Sequence, residues 1–116
     1  MIVDTKDINM QVYDIFRELG ISPHLLGYEY TSWIICNIIN EKLDATDKLT
    51  NIYKATGKHF GTSMVAVERC IRHMVGRMFR TTSRITIYKY FGNITSATSG
   101  QFIASIIKYI QIHKDK

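Results

Sequence analysis

A chain of 116 residues, 46% apolar and 22% charged, is long enough to bury one core and too apolar to remain disordered. No run approaches the roughly 18 uninterrupted apolar residues of a membrane helix, and the opening Met1 to Asn9 stretch, with two acids, lacks the apolar centre of a secretory signal. The formal charge of +5 is unevenly spread: residues 1–50 hold four Lys or Arg against eight Asp or Glu, and residues 51–116 hold eleven against two. These features predict one domain over residues 1–116, cytoplasmic and without a membrane partner, whose C-terminal part suits a polyanion.

Apolar spacing near 3.6 residues predicts six helices and no strand, an all-α fold. The first runs from about Asn9 to Leu19, with Val12, Ile15, Phe16 and Leu19 on one face and Gly20 as its stop. Ile21-Ser22-Pro23 is a turn. The second runs from about His24 to Lys42 and is expected to bury Leu25, Leu26, Tyr30, Trp33, Ile34, Ile38 and Cys36. A third covers about Leu49 to Phe60 and a fourth about Ser63 to Phe79, with only Gly61-Thr62 between them. The fifth covers about Ser83 to Phe91 and ends at Gly92. After a polar loop, a sixth runs from about Gln101 to His113, because Phe102, Ile103, Ile106, Ile107 and Ile110 keep helical rather than strand spacing.

The joint between the third and fourth helices reads as a helix-turn-helix. Such a unit needs a small residue in its first helix, a glycine at the turn, and apolar residues where the second helix packs back. Gly57, Gly61, Val67 and Ile71 fill those roles. Gly57, costly inside a helix by about 1 kcal/mol, implies close approach of a neighbouring helix unless the helix simply frays there. Thr62 or Ser63 caps the fourth helix.

At 100° per residue, Met64, Val67, Ile71, Met74, Val75 and Met78 share a core face. Opposite them lie Val65, Ala66, Arg69, Arg72, His73, Gly76, Arg77 and Arg80, an arc that repels itself unless an anion meets it. Double-stranded DNA is the expected partner. Near the start of a reading helix side chains reach base edges, so Glu68 suits the cytosine amino group and Arg69 suits guanine. Arg72, His73, Arg77 and Arg80, with Lys54 and Lys58 of the preceding helix, suit phosphates.

Other chemistries fit less well. His24, Cys36, His59, Cys70, His73 and His113 show no zinc spacing, so neither metal nor cofactor is expected. The two cysteines fit buried thiols in a reducing compartment. The acid-poor basic half offers little for catalysis, which argues against an enzyme. Tyr88-Lys89-Tyr90-Phe91 alternates rings with a base as single-strand binders do, but helical spacing sends several rings inward. The competing reading is a protein-interaction module that pairs with a full-length regulator or with RNA polymerase and does not touch DNA.

Four segments carry a family likeness: Gly27-Tyr28-Glu29-Tyr30, Val67-Glu68-Arg69-Cys70-Ile71-Arg72-His73, Tyr90-Phe91-Gly92 and Gln101-Phe102-Ile103-Ala104. Together, from about Ile8 to Lys114, they resemble the effector domain of the sporulation response regulators, the stage zero sporulation protein A family. The resemblance implies a six-helix DNA-binding domain that binds short boxes as tandem copies and meets RNA polymerase through the region after the reading helix, here about Arg80 to Phe91. It places Glu68, Arg69, Arg72 and His73 at the DNA interface. Ala66 departs from it, since the family carries a base-reading arginine there, and a changed target sequence is the expected consequence. The loop before Gln101 is also shorter than the family's. Members carry an N-terminal phosphoacceptor domain, for which 116 residues leave no room.

Overall fold

The computed structural model describes residues 5–113. Six helices follow one another: α1 (Thr5–Glu18), α2 (Leu26–Ile39), α3 (Leu49–Phe60), α4 (Met64–Thr81), α5 (Arg84–Phe91) and α6 (Ser99–His113). No strand occurs among the described residues. The all-α expectation therefore holds, and each predicted helix has its counterpart.

α4 is the axis of the molecule, packing against α2, α3 and α6. Its inner face contributes Val67, Ile71, Met74, Val75 and Met78, all buried. Phe16 of α1 and Phe102 of α6 meet at 5.6 Å between ring centroids, and Phe91 of α5 stacks on Phe102 at 5.5 Å, so the aromatic part of the core joins α1, α5 and α6. Removing such side chains from water is the main favourable contribution to folding.

Element ends differ from the sequence reading in ways that local chemistry explains. α1 begins at Thr5, before the expected Asn9, because fully buried Ile8 extends the apolar stripe upward from Val12. α6 begins at Ser99, before the expected Gln101. Thr98 and Gln101 exchange hydrogen bonds, the Thr98 N–H donating to Gln101 Oε1 (2.9 Å) and the Gln101 N–H to Thr98 Oγ1 (3.1 Å). This reciprocal capping box starts the helix at the intervening residues.

α2 is shorter than expected at both ends. Leu25 is its N-cap with extended backbone angles, so it stands off the helical stripe, and Leu25 and Leu26 are 39% and 55% exposed instead of buried. At the far end Asn40 closes the helix and Glu41 turns left-handed at φ 61°. Thr31 and Ile35, absent from the predicted core, are buried in place of the two leucines. Of the expected core residues Tyr30, Ile34 and Cys36 are buried, whereas Trp33 and Ile38 only pack against the core's edge. Both cysteines are free; Cys36 is buried as expected, but Cys70 is only partly so.

Candidate nucleic-acid interface

The candidate interface is built on the three-residue joint between α3 and α4. Gly61 sits at φ 73°, ψ 33°, a left-handed conformation that costs glycine nothing and other residues a clash with their own Cβ. The chain folds back so tightly that a Cβ on Gly57 would stand 2.6 Å from the Thr62 carbonyl oxygen. The Thr62 N–H donates to the Gly57 carbonyl at 2.8 Å. The close approach inferred from Gly57 is therefore real, and what approaches is the turn entering α4. Helix fraying is not its cause.

Ser63 and not Thr62 caps α4: its Oγ accepts from the Ala66 N–H at 3.0 Å. This ties off one of the first-turn N–H groups that no helical carbonyl reaches. With its start so held and Val67 and Ile71 fully buried, α4 has one possible rotation.

That rotation turns the basic arc to solvent. Arg69, Arg72, His73, Arg77 and Arg80 are exposed, as is Val65, while Ala66 and Gly76 are partly buried between them. Lys54 and Lys58 are exposed one turn apart on α3, and Ser63 is exposed at the joint, with Thr62 half covered. Among the described residues Arg69, Arg77 and Arg80 have no carboxylate within 4.0 Å. These exposed cations thus have no near carboxylate among the described residues, an arrangement suited to a polyanion.

Glu68 behaves differently from the arginines. Its Oε1 holds Arg72 Nη1 at 3.2 Å, and its Oε2 is buried without a hydrogen-bond partner. The side chain, 37% exposed, sits at the border between arc and core. It is engaged first with Arg72.

One basic group of this face was not singled out from the sequence. His24, at the turn before α2, shares a shallow groove with His73 and Arg77, floored by Leu25, Gly27 and Met74. No local pattern announces it, because some fifty residues separate His24 from its neighbours on α4. The groove exists because Gly27 lets α2 lie against the α4 backbone: a Cβ there would stand 2.6 Å from the Cys70 carbonyl oxygen.

A capped helix that presents arginines along one face, carried on a tight glycine joint and backed by an all-helical core, defines a DNA-binding regulatory domain. The family comparison is specific. Residues 12–110 match the family described as the C-terminal domain of sporulation initiation factor Spo0A, and the chain belongs to that family. This family is the DNA-binding part of a transcription regulator of sporulation and not a known enzyme family. No helix among the described residues is long and apolar enough to cross a membrane.

Proposed function

We propose that the chain is a sequence-specific, cytoplasmic DNA-binding domain that works as a helix-turn-helix and seats α4 in the major groove of duplex DNA. The observation that carries this reading is the split of α4 into a face of five buried apolar residues and an opposite face of exposed basic ones. B-form DNA admits one α-helix in its major groove, with the residues near the helix start closest to the bases.

In this reading Arg69 bonds guanine with both arms of its guanidinium, and Val65 and Ala66 lie against the groove floor. Glu68 both orients Arg72 and offers its outward oxygen to a cytosine amino group. Arg72, His73, Arg77 and Arg80, with Lys54, Lys58 and the Thr62-Ser63 joint, meet phosphates and set register. Ala66 brings no cation to the groove, so the preferred box differs from one read by an arginine at that place.

Selection from a random DNA duplex pool at near-physiological salt, with Arg69→Ala alongside, tests the reading. An enriched motif that the variant loses at one or two positions is expected. Weak, equal binding by both proteins would refute sequence reading and favour the interaction module.

The exposed residues of α5 support a second contact. Ile85 and Tyr88 are 84% and 67% exposed beside Arg84 and Lys89, a mixed apolar and basic strip directly after the reading helix. We assign this strip to RNA polymerase, and tandem copies on adjacent boxes to the assembled state, as the family resemblance implies.

A further inference from the structure

The turn between α1 and α2 is tied to α4 at both ends. Thr82, which closes α4, donates its hydroxyl to the Leu19 carbonyl at 2.6 Å. At the other end a Cβ on Gly27 would stand 2.6 Å from the Cys70 carbonyl oxygen. Between these ties the chain runs back along α4: Ser22 and Leu25 share one hollow with Met74 and Arg77, and His24 shares the next with His73 and Arg77. His24 is exposed on this turn, its main-chain N–H donating to Ser22 Oγ at 3.2 Å. At 100° per residue Cys70, His73, Met74 and Arg77 form one flank of α4, beside an arc centred on Arg69 and Gly76. The groove on that flank thus gathers three groups able to carry positive charge from two separate elements, and no carboxylate lines it. Among the described residues none of the three has an Asp or Glu oxygen within 4.0 Å.

We propose that this groove is a phosphate clamp: one phosphate of the DNA backbone seats between His24 and the His73 and Arg77 side chains, which makes the α1–α2 turn a further DNA-contacting element. The inference deepens the DNA-binding reading above and rests on it. A helix with its side chains is about 10–12 Å across and the major groove about 12 Å wide, so α4 fills the groove and what lies along its flank meets the phosphate wall. Arg77 brings a permanent charge. An imidazole beside a phosphate is favoured in its charged form, in which both ring nitrogens donate. Binding therefore takes up protons, and affinity rises as pH falls through the imidazole range. The titratable and charged groups across the groove from His24 are His73, Arg77 and the Cys70 thiol, all on α4; on its own side Leu25, Leu26 and Gly27 carry no charge.

His24→Ala should melt with the parent, because the residue is exposed and the turn's bond to Ser22 uses its main chain. At pH 6, on the duplex the parent selects, the variant should bind about threefold to tenfold more weakly, the range for one hydrogen bond. The slope of log K against log salt should fall in magnitude by about 0.9, and both differences should shrink by pH 8. The selected bases should stay the same. His24→Lys, which keeps a cation on the turn, should restore the slope. Replacing the DNA phosphates one at a time by uncharged methylphosphonate locates the contact: one position should weaken the parent and lose that effect in both His24→Ala and Arg77→Ala. An unchanged salt slope in His24→Ala, or a loss that shares no phosphate with Arg77→Ala, would overturn the proposal. If the parent selects no motif, sequence reading fails by itself, and the slopes of parent and His24→Ala on a random duplex at pH 6 still decide whether the turn meets a phosphate.

Discussion

Gly27 of α2 faces the carbonyl of Cys70 on α4 so closely that a methyl group added at its Cα would lie 2.6 Å from that oxygen and 3.1 Å from Met74 Cβ. Neither is the loose end of a flexible side chain, so α2 and α4 would have to move apart. Gly27→Ala should destabilise the fold by about 1–3 kcal/mol, the range for overpacking a tight contact, despite alanine's better helix propensity. Urea denaturation checks this as a lower midpoint at unchanged slope.

The joint offers a second comparison. Gly57→Ala drives a Cβ into the Thr62 carbonyl, whereas Gly61→Ala meets no atom within 4 Å and only strains a left-handed backbone. Gly61→Ala should cost about 1 kcal/mol and leave DNA affinity largely intact. Gly57→Ala should cost more and also weaken DNA binding at temperatures where the protein is fully folded, because the turn that aims α4 is displaced. Melting curves and binding isotherms on the same samples separate the two effects.

Ser63 joins a structural role to an exposed place on the proposed DNA face. Ser63→Ala removes the bond to the Ala66 N–H and should cost about 1 kcal/mol. Aspartate is as good a cap, so Ser63→Asp should retain the parent's stability, yet it places a negative charge toward phosphate and should bind DNA at least tenfold more weakly, about 1.4 kcal/mol. Equal affinity of Ser63→Asp and the parent would remove the joint from the interface.

The slope of binding against salt counts phosphate contacts. Each phosphate neutralised contributes about −0.9 to the slope of log K against log salt, so Arg77→Ala and Arg80→Ala should each lower its magnitude by about one without altering the selected motif. Arg69→Ala should instead change the motif. Isotherms from low to near-physiological salt give the comparison.

Acid should undo one long-range tie. The Tyr90 hydroxyl and the Lys89 ammonium both donate to the Glu18 carboxylate, Lys89 Nζ at 3.0 Å, and fasten α5 to α1. The Tyr90 hydrogen bond first, then Lys89, hold the Glu18 carboxyl below its ordinary 4.5, against a smaller opposing effect of burial. A carboxyl whose folded pKa is depressed contributes stability that is present above its unfolded pKa and is lost as pH falls through the folded one. Glu18→Gln should therefore melt below the parent at pH 7, and the gap should close as pH drops below 4.5. The Lys89 ammonium, raised above its ordinary value by the same carboxylate, adds stability that is full below 10.5 and fades at more alkaline pH. The gap between the two proteins is thus broad and flat across neutral pH.

Much of this molecule is legible along the chain because its signals are local. The spacing of Val67, Ile71, Met74, Val75 and Met78 fixes the buried side of α4, and with it the exposure of Arg69, Arg72, His73, Arg77 and Arg80 opposite. Gly61 is left-handed where a tight joint needs it, and Ser63 caps where a helix must begin. These depend on residues within about one helical turn of each other, so periodicity and capping chemistry suffice to read them.

Other features depend on what folding brings together from afar. Leu25 and Leu26 belong to an apolar run, yet the true start of α2 leaves them exposed while Thr31 goes inside. The Tyr90 and Glu18 side chains meet across 72 positions, and His24 joins His73 and Arg77 across about fifty. Glu68 reads along the chain as one more groove-facing side chain, but in the fold one of its oxygens is buried while the other holds Arg72. Helical spacing assigns a face to each residue; which helix covers that face, and how closely, follows from the crossing of α2, α3 and α4, where Gly27 and Gly57 let backbones approach without a Cβ between them.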